Sequence, residues 1–117
     1  NYIRWFEEAR VDLLEQLGFG YDRIEAAGYS GPVLEVSCQY KTMSKFGETV
    51  SIQAAITQYN GVRMTLHYEV FDKATVEVRC TGDSRHCFIN SDGHPAILRR
   101  CWPEFDAALA SHVTAEK

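Results

Sequence analysis

The apolar residues of this 117-residue chain change period once, and that change constrains the fold more than any other feature. Over 2–17, Tyr2, Phe6, Ala9, Leu13 and Leu17 recur at spacings of three and four, and Trp5 and Leu14 widen the stripe. That is the period of a helix with one side turned to a core. Glu7, Glu8, Arg10, Asp12 and Glu15 read as the opposite, solvated side. Asn1 is a natural N-cap, and Gly18 and Gly20 stop the helix. A short helical turn over 21–27 ends at Gly28, and Ser30-Gly31-Pro32 breaks the chain.

Beyond the break the period is two. Over 33–42, Leu34, Val36, Cys38 and Tyr40 alternate with Glu35, Ser37, Gln39 and Lys41, which predicts a half-buried strand. Over 49–59, Val50, Ile52, Ala54 and Ile56 alternate with Ser51, Gln53 and Thr57. Asn60-Gly61 is a hairpin signal, and the return strand over 62–71 places Val62, Met64, Leu66, Tyr68 and Val70 on one face. Asp72-Lys73 turns the chain into a last strand over 75–90. There Val76, Val78 and Cys80 keep the even phase while Cys87 and Ile89 are odd, so a β-bulge is expected near Gly82. Asp92-Gly93 ends that strand, and Pro103 opens a final helix with Glu104 in its first turn and His112 near its end. The order is helix, four antiparallel strands, helix. It predicts an α+β domain over 1–117 in which a curved sheet receives the apolar side of the first helix.

An apolar fraction of 45% excludes a disordered chain, and no apolar run is long enough to span a bilayer. Sixteen acidic residues against twelve basic ones leave a net charge of −4, without the basic footprint of a nucleic-acid binder. No nucleic-acid or membrane partner is therefore expected. The opening residues do not form a signal peptide. Cys38, Cys80, Cys87 and Cys101 make no C-x-x-C pair and read as reduced thiols of a cytoplasmic protein. His67, His86, His94 and His112 have no ligand spacing, so no metal site is expected. His86 beside Cys87 is a poor base and nucleophile, because neighbours on a strand point to opposite faces.

Several segments, taken in order, carry a resemblance. They are Asn1-Tyr2-Ile3-Arg4-Trp5-Phe6-Glu7-Glu8-Ala9-Arg10, Gly31-Pro32-Val33 with Glu35-Val36-Ser37-Cys38, and Lys45-Phe46-Gly47-Glu48-Thr49-Val50. Gly61-Val62-Arg63, Thr81-Gly82 with His86-Cys87-Phe88, and Ser91-Asp92-Gly93-His94-Pro95 complete them. Together they resemble acyl-CoA thioesterases of the hotdog fold, in the 4-hydroxybenzoyl-CoA thioesterase subgroup that includes YbgC-like enzymes. The resemblance implies an antiparallel sheet wrapped around a long central helix. It implies hydrolysis of a short-chain or aromatic acyl thioester, carried on coenzyme A or on acyl carrier protein. Coenzyme A would enter only as part of the substrate, with no separate cofactor. Family members assemble as homodimers or homotetramers with the active site between subunits.

The family also begins with a strand and a loop carrying an Asp and a Gly, and both would precede Asn1. The resemblance therefore places the catalytic carboxylate upstream of Asn1 and no catalytic residue within 1–117. The helix start would polarise the thioester carbonyl, because its free N–H groups and partial positive charge stabilise an oxyanion. Glu7 and Glu8 read as solvated charges rather than as substitute acids. Asn1, Tyr2 and Trp5 occupy the family's acyl pocket. Asn60, Gly61 and Arg63 occupy the second hairpin, where relatives place basic residues against coenzyme A phosphates. Here the tip Tyr59-Asn60-Gly61-Val62 lacks the basic cluster; Arg63 stands next to it, with Lys41 and Lys45 elsewhere on the rim. The alternative reading is a non-catalytic hotdog subunit that binds an acyl ligand or serves a structural role.

Overall fold

The computed structural model describes residues 2–41 and 49–114, with the backbone alone at Tyr2. Asn1, the Tyr2 side chain and the Lys45–Glu48 turn lie outside the described residues. The elements are α1 (Tyr2–Gln16), α2 (Tyr21–Ala26), β1 (Val33–Tyr40), β2 (Val50–Tyr59), β3 (Arg63–Asp72), β4 (Val78–Cys87), α3 (Leu98–Cys101) and α4 (Pro103–Ser111). The four strands form one antiparallel sheet in the order β1-β4-β3-β2. At the β2–β3 turn the Asn60 side-chain oxygen accepts the N–H groups of Val62 and Arg63, and Gly61 takes a φ of +95°. That left-handed value is open to glycine at little cost. The Asp72 carboxylate accepts the N–H groups of Ala74 and Thr75 and closes the β3–β4 turn in the same way. The four-residue α3 was not legible in the pattern; its Leu98 N–H donates to the Gly61 carbonyl and ties it to the hairpin.

α1 lies on one face of the sheet. Phe6 and Leu14 are buried there among Ile56, Met64, Leu66, Tyr68 and Val70. The Phe6 ring stacks on Tyr68 with centroids 4.5 Å apart and planes 10° from parallel. The buried row of the helix is Phe6, Arg10, Leu14, spaced by four. Arg10 therefore belongs to the inner side and not, as the pattern implied, to the solvated one. Its contacts below give the reason. At the far end Phe19, Phe88, Phe105 and Trp102 form an aromatic cluster that seats α4.

The bulge expected near Gly82 is not there. Gly82 pairs in register with Tyr68 on one side and Cys38 on the other. The shifts fall between Val33 and Glu35, between Ile56 and Gln58, and between Val70 and Phe71. The inner face of β4 runs Cys80, Gly82, Ser84, His86 without a break, and Phe88 continues its phase. The apolar pattern was misleading because three of those positions are small or polar. Leu34, expected inside, sits at the β1 irregularity and is 51% exposed. Val76 lies in the turn with a φ of 62°, and β4 begins only at Val78. On the outer edge of β2, Val113 bridges Ile56 and the Thr114 N–H donates to the Ile56 carbonyl.

Gly82 is the point of closest approach between helix and sheet. A Cβ there would overlap the Phe6 ring and lie 2.6 Å from the Ser37 carbonyl oxygen. A ring can turn but a paired strand carbonyl cannot. Gly82→Ala is expected to lower stability by about 1–3 kcal/mol, read as a lower denaturation midpoint. A melt indistinguishable from that of the parent protein would show that the contact is looser than described.

Candidate functional site

Two grooves hold the residues singled out from the sequence. The first, of about 550 Å³, lies between α1 and the start of β2 and is lined by Trp5, Glu8, Ala9, Asp12, Val50 and Ile52. Its α1 wall runs from Trp5 to Asp12. Trp5 gives it a large apolar wall, and Glu7 and Glu8 are both exposed.

The second groove, of about 520 Å³, lies at the tip of the β2–β3 hairpin and runs across the sheet to β1; Leu34, Gln58, Asn60, Arg63, Thr65 and Arg85 line it. Arg63 is exposed on its wall, and the Arg85 guanidinium stands 3.5 Å from the Glu35 carboxylate. Because the Asn60 oxygen is engaged by the turn, its NH₂ group is the part left to meet a ligand. Gly61 does not face this groove; it is buried, with Arg99 and Asp106 nearest to where its Cβ would be. Behind it the Tyr59 hydroxyl donates to Asp106 at 2.5 Å. Burial, then the Asp106 carboxylate, push the Tyr59 phenol far above its usual range, so it stays a proton donor.

The structure thus brings Asn60 and Arg63 together, adds Arg85, and keeps Trp5 apart. Val50 pairs with Asp72 and Tyr59 with Met64, so the two grooves sit at opposite ends of β2. Nine residues of strand separate those ends by about 30 Å.

Between them, under α1, runs a buried set of polar groups that the sequence reading missed. The Ser84 hydroxyl lies 2.6 Å from the Tyr68 hydroxyl and 2.6 Å from His86 Nε2. Arg10 Nε donates to the Tyr21 hydroxyl at 2.7 Å, and its Nη1 is 3.4 Å from each His86 ring nitrogen. His86 is 1% exposed. The available signal was the even phase of β4: Ser84 and His86 share the face of Tyr68, with Arg10 in the buried row of α1. Elsewhere Cys38 and Cys80 have sulfurs 3.0 Å apart across β1 and β4. Burial and the neighbouring Cys38 push the Cys80 thiol up to about 12, which keeps it protonated and a weak nucleophile. Among the described residues no group of three metal-ligating side chains comes together.

Comparison with known proteins is consistent along the whole chain. The family model described as the thioesterase-like superfamily matches residues 1–113. YneP of Bacillus subtilis, described as a putative acyl-CoA thioesterase, is 29% identical over 109 residues, which is 92% of this chain and 78% of that protein. The crystal structure of a DHNA-CoA thioesterase from Staphylococcus aureus matches with a TM-score of 0.86 at 31% identity, over 95% of this chain and 74% of that one. A Thermus thermophilus protein described as hypothetical matches with a TM-score of 0.84 at 26% identity, over 95% of this chain and 81% of that one.

The buried imidazole gives a prediction in pH. Burial first, and the Arg10 guanidinium second, lower the His86 pKa to about 4, against a smaller upward pull from the Pro32 carbonyl. The groups facing it are Arg10 from α1, Tyr68 from β3, Ser84 on its own strand and the Pro32 carbonyl; Tyr21 of α2 reaches it through Arg10. In the unfolded chain the same imidazole takes up a proton near 6.5. Between those values the unfolded state binds more protons, so stability is complete above about 6.5 and falls as pH drops towards 4, by about 3 kcal/mol. Urea titrations at pH 7.5 and 4.5 are expected to show that loss, and His86→Gln is expected to flatten it. An equal loss in His86→Gln would assign the acid limb to other groups.

Proposed function

Because the chain belongs to the thioesterase-like superfamily, we propose that it hydrolyses an acyl-CoA thioester with a short-chain or aromatic acyl group. The observation that carries this is the likeness to the staphylococcal DHNA-CoA thioesterase, at 31% identity over 95% of this chain with a TM-score of 0.86. In this reading the fold is the hotdog arrangement, with the sheet curved around α1. Support comes from Phe6 and Leu14 of that helix, which are buried in the core with residues of β2 and β3. The thioester carbonyl lies at the first turn of α1, and water attacks it, directed by an Asp upstream of Asn1. The oxyanion is stabilised by the partial positive charge at the start of α1. Collapse of the tetrahedral intermediate breaks the C–S bond, releasing the carboxylic acid and the thiol of coenzyme A. An upstream strand pairs with the edge of β2 over 50–55, the part not covered by Val113, and closes the groove beside Trp5. Asn1, Tyr2 and Trp5 then bound the acyl group. No cofactor takes part beyond the coenzyme A carried by the substrate. No described helix is long and apolar enough to cross a membrane, and a cytoplasmic setting is part of the proposal.

The separation of the two grooves is resolved by a second copy. β1 is an edge strand, and Val33 and Val36 on it are each 43% exposed. An exposed apolar edge strand invites another strand. Antiparallel pairing of β1 with its two-fold mate reverses one sheet against the other. The Asn60–Arg63 groove of one protomer is thereby carried towards the start of α1 in its partner. The active site then lies between subunits of a homodimer, or of a homotetramer made from two such dimers. Arg63 and Arg85 meet the coenzyme A phosphates there.

Two outcomes test this. Arg63→Ala is expected to raise KM for acyl-CoA on the order of tenfold with kcat little changed, and to leave the same acyl group on pantetheine unaffected, since pantetheine lacks the phosphates. Equal losses on both substrates would remove Arg63 from phosphate recognition. Val36→Lys is expected to convert the dimer into a monomer in sedimentation and to abolish turnover with it. A monomeric but fully active variant would refute a site shared between subunits.

A further inference from the structure

The polar groups under α1 form a continuous chain. Arg10 Nη1 lies 3.4 Å from each His86 ring nitrogen, His86 Nε2 is 2.6 Å from Ser84 Oγ, and Ser84 Oγ is 2.6 Å from the Tyr68 hydroxyl. A second branch leaves Arg10 through Nε to the Tyr21 hydroxyl. The chain therefore joins α1 to α2, β3 and β4.

From this we infer that Arg10, Tyr68, Ser84 and His86 are positioning residues that fix the rotation and axial seat of α1, and through it the placing of the thioester carbonyl at the first turn of that helix. The Phe6–Tyr68 stack and the Gly82 contact hold the helix close to the sheet, yet flat apolar contacts resist sliding weakly. A directional chain does resist it. Moving α1 along its axis by one residue, about 1.5 Å, would break the Arg10 bonds and strand several buried polar atoms. An error of about 1 Å in a reacting geometry costs on the order of a hundredfold in rate. None of the four residues reaches a proposed groove, so they act through the helix and not on the substrate.

This inference rests on the thioesterase reading, and the experiment separates the two. Full-length Tyr68→Phe and Ser84→Ala each delete one link without changing a charge; Arg10→Leu deletes the origin. The readouts are kcat and KM on acyl-CoA, and amide hydrogen exchange across Ile3–Glu8. For Tyr68→Phe the expected result is a kcat at least tenfold lower with KM within about threefold, faster exchange over those residues, and unchanged far-ultraviolet dichroism. Ser84→Ala is expected to match it, and the double variant to fall no further than either single one, because both cut the same chain. Unchanged kcat and exchange in Tyr68→Phe and Ser84→Ala would overturn the inference. If Arg10→Leu fails to fold, the two hydroxyl deletions decide. If the parent protein hydrolyses no thioester, the thioesterase reading fails, and the exchange data still decide whether the chain seats the helix.

Discussion

The structure depends on how closely α1 can approach the sheet at one point. Gly82 of β4 has no side chain, and the Phe6 ring occupies the space where a Cβ would be, lying flat on Tyr68 of β3. That contact brings the helix down far enough for Leu14 to enter the core one way and for the start of α1 to meet the first residues of β2 the other way. It also leaves little room beneath Arg10. A guanidinium brought against a sheet loses its water, and an unsatisfied one costs far more than a hydroxyl. The small polar residues on the same face of β4, with Tyr68 opposite, are the answer to that cost.

The same closeness sets the electrostatics. Burial first, and then a cation beside the imidazole, favour the neutral ring, which is why His86 is lowered and not raised. Charge on the outer surface behaves differently. His67 is flanked by Asp83 at 3.0 Å and Glu69 at 3.4 Å, but these groups are partly solvated and their pairing contributes little to stability.

The chain holds two grooves about 30 Å apart. The apolar groove at the start of α1 and the arginine-lined groove at the hairpin tip lie at opposite ends of the same strand. β1 is an edge strand with Val33 and Val36 exposed on it. Antiparallel pairing on that edge is the operation that reverses one end against the other. In the proposed dimer, the strand that pairs is also the strand that aligns the two grooves.

The sequence by itself determined the element order, most of the boundaries and the inner face of β3, because those follow from local period and from turn residues such as Asn60, Gly61 and Asp72. It placed Arg63 and Asn60 together at a hairpin tip for the same reason. It could not place Arg10, Ser84 and His86 inside, since a polar residue is buried only when partners from other strands and helices satisfy it, and the partners of Arg10 lie 11 and 76 positions away. The false bulge at Gly82 had the same origin: a glycine, a serine and a histidine on the inner face broke an apolar pattern that the backbone had not broken. The distance between the grooves was equally invisible, because it depends on strand register and on which edges remain open. Local chemistry sets the period of each segment; only packing decides which polar groups are allowed within.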